Sequence, residues 1–201
     1  MSKVVAMPNP GYPLRALKQF AADADEIVRR YRELDDLGTN TYVKIEATTN
    51  REQIAKLIDA ARKTATLNER DQATLAQCEA ALLRFDANSN YEDDGKGNLK
   101  RSVIGERIAL LVGAFPNGAP CDPAVFVRAL IEAVSSIDVS LLALDSAVWE
   151  IIETKKFVPA TAEVLEIVNR QHEKWGKRVC AIEELAEASN WELKQIEKLQ
   201  P

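Results

Sequence analysis

The sequence predicts an all-α fold, a helical array of about seven helices ending in a long heptad-patterned one. Three observations carry that expectation. Apolar residues return at steps of three and four through most of the chain. Helix-start signals precede several of those runs: Thr49 with Glu52, Thr66 with Glu69, and Asp122 with Pro123. The alternating stretch from Thr39 to Ala47, which sets Val43 and Ile45 against Tyr42, Lys44 and Glu46, has no second strand to pair with.

After a Pro-containing leader, Met1 to Tyr12, the first helix is marked by Leu14, Leu17, Phe20, Ala24, Ile27, Tyr31 and Leu34 and ends near Gly38. Residues 39–47 read as a short strand or an extended linker, and the missing partner favours the linker. Thr49 and Glu52 have capping-box spacing and introduce a second helix with Ile54, Leu57, Ile58 and Ala61 on one face. Thr66 and Glu69 repeat the signal ahead of Leu75, Cys78, Leu82 and Phe85, the stripe of a third. From Ala87 to Asn98 the periodicity gives way to Asn, Asp, Gly and Ser, which is turn chemistry and the best candidate boundary between parts.

Val103, Ile104, Ile108, Leu111, Val112 and Phe115 mark a fourth helix stopped by Pro116. Asp122 as N-cap with Pro123 at the first helical position opens a fifth, which carries Phe126, Leu130 and Val134. Asp138 is placed to cap a sixth, bearing Leu141, Leu144, Val148, Trp149 and Ile152 and closed by Lys155, Lys156 and Pro159. From Thr161 onward Leu165, Val168, His172, Trp175, Val179, Ile182, Ala186, Ser189, Leu193 and Ile196 form a heptad seam. One helix of up to roughly forty residues follows, about 60 Å long, with Gly176 as a candidate bend. So long a stripe needs cover, from the first helix or from a second copy of the chain. The expected organisation is an N-terminal helical part (1–87), a linker (88–101), a three-helix middle (102–159) and the long C-terminal helix (160–201) packed with the rest.

Composition narrows the function classes. The 26 basic and 31 acidic residues give a net charge of −5, so no overall positive field draws in nucleic acid or anionic lipid. By segment, residues 1–87 carry 13 basic and 13 acidic side chains, 88–159 carry 7 and 10, and 160–201 carry 6 and 8. The acidity therefore belongs to the middle and the tail, and a partner meeting those parts should present a neutral or basic surface. Basic clusters such as Arg62-Lys63 and Lys155-Lys156 neutralise a few phosphates each and predict no strong direct nucleic-acid binding. Cys78, Cys121 and Cys180 have neither zinc-site spacing nor disulfide-scaffold density, which predicts reduced thiols and a cytoplasmic protein. The leader is too short for a signal peptide's apolar region, and no run approaches a membrane span.

Catalytic and metal motifs fail on inspection. Asp86, Asn88 and Asn90 open like a calcium loop, but Tyr91 stands where its sharp turn needs Gly, and Gly97 where it needs a bidentate Glu. His172-Glu173 begins like a zinc-protease helix, yet position 176 is Gly and the chain has 1 His. His172 is read instead as a polar, register-setting group in a helix interface. The pair Asp35-Asp36 and the run Glu92-Asp93-Asp94 sit in polar contexts and read as solvated charge. The expectation is no catalytic residue, no metal and no cofactor. Trp149, Trp175, Phe115, Phe126 and Phe157 read as core aromatics. Trp191 lies beside the seam in an acidic stretch, as a partner anchor does. Trp191, Trp175, Lys177 and Arg178 are the candidate partner-binding residues.

Residues 103–175 also have a recognisable order of punctuation. An apolar helix ends in Phe115-Pro116, a loop leads to Asp122-Pro123, a helix bears Phe126 and Leu130, and the next closes at Lys156-Phe157-Val158-Pro159 ahead of Ala162-Glu163-Val164. This stretch, about a third of the chain, resembles small helical proteins of phages and prophages, including the phage replicative helicase loader and inhibitor group. The resemblance implies a non-enzymatic helical adaptor or inhibitor that binds another protein, with a replicative helicase as the candidate partner. It carries no individual functional residue over. The alternative is a structural or assembly protein in which the heptad helix, as a coiled coil, drives homo-oligomer formation.

Overall fold

A computed structural model describes residues 14–89, 100–115 and 122–199. The described residues are helical and contain no strand. In order they form α1 (Leu14–Asp36), a π-helical turn (Leu37–Thr41), α2 (Tyr42–Glu46), α3 (Arg51–Ala65), α4 (Glu69–Ser89), α5 (Arg101–Gly113), α6 (Pro123–Ser135), α7 (Leu141–Thr154) and α8 (Thr161–Lys198). The all-α class and the long C-terminal helix are thus as expected. The leader to Tyr12, the calcium-like loop beyond Ser89, Pro116 and Cys121 lie outside the described residues.

Several boundaries move by a residue or two for local reasons. Asn50, not Thr49, caps α3, its side chain accepting from the N–H groups of Glu52 and Gln53 at 3.0 and 3.2 Å. Asn68 and Asp71 make the reciprocal box at the start of α4, each side chain accepting from the other's N–H. Thr66 instead ends α3. Ser140 rather than Asp138 caps α7, and Asp122 caps α6 with Pro123 behind it. Residues 39–47 are helical, not an extended linker. Leu37 and Ile45 are buried and the Tyr42 hydroxyl donates to Glu192, so tertiary contact overrides the extended preference of Thr39, Thr41 and Val43.

The chain divides into two compact units. One takes the described residues of 1–18 and 83–176, the other 19–82 and 177–201. This is not the contiguous division expected from composition, because the dividing points fall inside α1, α4 and α8.

In the first unit α7 is buried on nearly every face, through Leu141, Leu142, Leu144, Ala147, Val148 and Ile151, and α5 packs against both α6 and α7. Arg107 and Asp145, both buried, join α5 to α7 at 2.6 Å. Desolvation pushes the Asp145 carboxyl above its ordinary pKa, while Arg107 pulls the other way. Trp175 is 1% exposed and donates from Nε1 to Ser146 at 2.8 Å. Gln171 donates to Glu150 at 2.6 Å. Phe157, expected in the core, is 67% exposed.

In the second unit Leu34, Ile27, Ala61, Ile182, Leu185 and Ile196 form the core. Its corner is the α3–α4 turn. The last carbonyls of a helix lack intrahelical donors, and here other helices supply them. Arg30 of α1 donates to the carbonyls of Thr64 and Thr66 at 2.5 and 2.9 Å and to Asp71 at 3.1 Å. Ser189 of α8 donates to the carbonyl of Ala65 at 2.7 Å. Arg178 makes a bidentate pair with Asp25 of α1, both contacts 2.8 Å.

The seam of α8 corrects the expected register. Val168, Trp175, Ile182, Ser189 and Ile196 are buried as read, but the alternate positions are Val164, Gln171, Arg178, Leu185 and Glu192, each one residue before the apolar set chosen from sequence. His172 is accordingly exposed, and the interface position belongs to Gln171. Helices of the same chain cover this seam, so it is not an open stripe awaiting a second copy. Gly176 does not end the helix, and a Cβ there would meet nothing within 4 Å.

Candidate binding groove between α1 and α8

The second unit carries a groove of about 730 Å³ between the C-terminal parts of α1 and α8. Tyr31, Leu34 and Asp35 line it from α1, at spacings of three and four that place them on one helical face. From α8 come Glu184, Glu187, Ala188 and Trp191, again at steps of three, one and three along one flank. The floor is closed by Leu34, which is buried, and by Glu192, whose carboxylate accepts from the Tyr42 hydroxyl. Burial and that hydrogen bond raise the Tyr42 pKa.

The rim is open and acidic. Asp35, Glu184 and Glu187 are exposed, and Lys194 is the single cation among the lining residues. Tyr31 donates to Glu184 at 2.7 Å, a bond that raises the phenol pKa to about 12, so Tyr31 keeps its proton and holds the carboxylate in place. Cys180, one turn earlier on α8, is exposed, and its thiol is pushed up by desolvation and by a hydrogen bond to the same Glu184. Trp191 stands in the groove 55% exposed.

The four partner-binding candidates separate. Trp191 is in the groove and Lys177 is on the surface of α8. Trp175 and Arg178 are interior groups, 1% and 3% exposed; the bonds to Ser146 and Asp25 occupy their polar atoms, so they hold helices together. The sequence reading missed Tyr31, Asp35, Glu184 and Glu187 as a set. The acidity around Trp191 was visible, but nothing in the sequence says which face of α1 lies beside it.

Among the described residues, no group of three or more His, Cys, Asp or Glu side chains is arranged to hold a metal ion, and the carboxylates of the groove are included in that statement. No described helix is long and apolar enough to cross a membrane. Fold and groove together define a helical chain with an acidic, tryptophan-bearing cleft. No family model, curated protein or solved structure matches the chain.

Proposed function

We propose that this protein is a non-enzymatic helical adaptor or inhibitor of the phage type, which acts by binding another protein at the groove between α1 and α8. The observation that carries the reading is Trp191. A tryptophan buries roughly 200 Å² when fully covered, so about half of that area remains for a partner to cover. At about 25 cal/mol per Å² this is worth roughly 2.5 kcal/mol, the scale of an interface hot spot. The fold leaves that surface unused while it buries Trp175 on the same helix.

The resemblance of residues 103–175 makes a replicative helicase the first partner to test. Mixing at micromolar concentration followed by size-exclusion chromatography should yield a complex, and Trp191→Ala should abolish it. Absence of any complex with wild-type protein overturns the helicase assignment, and a complex indifferent to Trp191→Ala overturns the groove as its site. Self-association through the heptad seam draws no support from the structure, since the chain's own helices occupy that seam.

A further inference from the structure

The groove is not neutral, and its charge specifies an occupant more narrowly than protein binding does. Four carboxyl groups and one ammonium line it. Two features make this more than a solvated acidic surface. The carboxylates line the same groove as an exposed aromatic ring rather than standing alone, and a cation over an indole ring is attracted by the ring quadrupole. In addition, Glu184 is positioned by Tyr31 and Glu192 by Tyr42, so part of the negative charge is fixed in place before anything binds. A pre-ordered anionic rim around an exposed ring favours a cationic side chain with an apolar stem, which is arginine or lysine.

Resting on the reading above that the groove is the docking site, we propose that its occupant is a basic segment of the partner protein, with one arginine or lysine side chain over Trp191 and neighbouring cations meeting Asp35, Glu184 and Glu187. An acidic or purely apolar segment is disfavoured, because it would bring like charge to the rim or leave the carboxylates without a counter-charge.

The test uses the full chain and two fluorescein-labelled twelve-residue peptides of identical Leu and Ser content. One carries four arginines, and in the other glutamates replace them. Fluorescence anisotropy at near-physiological salt should show the arginine peptide binding at least about tenfold more tightly than the glutamate one, with affinity falling as salt rises. Glu187→Lys, Asp35→Lys and Trp191→Ala should each weaken the arginine peptide by about tenfold or more. All three residues are exposed, and helical circular dichroism confirms that each variant is folded. Equal binding of the two peptides, no binding of the arginine peptide, or binding that none of the three substitutions moves overturns the proposal. The docking reading fails separately: a partner complex lost in Trp191→Ala but unchanged in Glu187→Lys and across salt keeps the groove and removes the basic occupant. A complex unchanged in Trp191→Ala removes both.

Discussion

Arg30 offers the sharpest test of how the second unit is held together. Its guanidinium is buried on α1 and donates to Asp71, to the carbonyls of Thr64 and Thr66, and to Glu33 at 2.8 Å. Arg30→Met keeps most of the apolar stem and deletes all four bonds. The Glu33 contact is half exposed and Glu33 also pairs with Arg29, so little is assigned to it. Of the other three acceptors Asp71 is buried and the Thr64 and Thr66 carbonyls are part-buried, so the Asp71 pair carries most of the effect. Breaking one side of a buried pair costs about 3–5 kcal/mol, and Asp71 keeps its bond from the Asn68 N–H at 3.2 Å, which argues for the lower end. The expected loss is about 3 kcal/mol. Arg30→Lys, which keeps the charge but reaches fewer acceptors, should lose less. Because the chain has two units, urea unfolding should be followed together with amide exchange at the end of α3 and the start of α4, where the loss of protection should concentrate. A double-mutant cycle with Asp71→Asn should show coupling of about 1 kcal/mol or more. A destabilisation below about 1 kcal/mol, or an additive cycle, refutes the view that α1 secures this corner through Arg30.

Gly176→Ala should stabilise the protein by about 0.5–1 kcal/mol, since the position is exposed, mid-helix and open to a methyl group; thermal unfolding measures it, and a loss of stability would mean the helix needs glycine there. Arg107→Met alone should cost about 3–5 kcal/mol, while Arg107→Met with Asp145→Leu should restore most of it, because the double change removes both buried charges; denaturant midpoints decide. The Glu163 carboxyl accepts from the Ala160 N–H at 3.0 Å and, with Lys155 adding a second contribution, is held below its ordinary pKa. Its contribution to the first turn of α8 is therefore complete above the unfolded carboxylate pKa and is lost as pH falls through the lowered folded value. Amide exchange in that turn should accelerate over that acid range in wild type and show no such step in Glu163→Gln.

What was legible in the sequence follows the physics that is local. Helix existence rests on periodicity and caps within a few residues, and the helices from α3 to α8 could be read that way. Misplaced caps arose where two acceptors compete: Thr49 lies next to Asn50, and Asn is at least as good an N-cap. The segment 39–47 failed because its helicity depends on Leu37, Ile45 and the bond from Tyr42 to Glu192, a residue 150 positions away. The groove was half legible. Trp191 in an acidic stretch could be singled out, whereas its α1 wall depends on which faces of two helices meet.

The register error in α8 has a more general cause. Reading the seam by its apolar residues selects Leu165, Val179, Ala186 and Leu193 at the alternate steps, with His172 as the one polar member, a column that is mostly apolar and internally consistent. The column that actually faces the interior contains the half-buried Gln171 and the buried Arg178 and Glu192, which hydropathy assigns to solvent. Each enters the interior with a partner: Glu150 for Gln171, Asp25 for Arg178, Tyr42 for Glu192. Arg30 and Ser189 follow the same rule by taking helix-end carbonyls. A buried polar group costs little when its bonds are made and much when they are not. These residues therefore disfavour a helix rotated by one position more strongly than the apolar column favours it. A one-residue shift along the helix would strand Arg178 and Glu192 without partners, while Val179 and Leu193, at intermediate exposure, gain little from deeper burial. The polar positions thus set the phase of α8, and through it they place Trp191 in the groove rather than in the core.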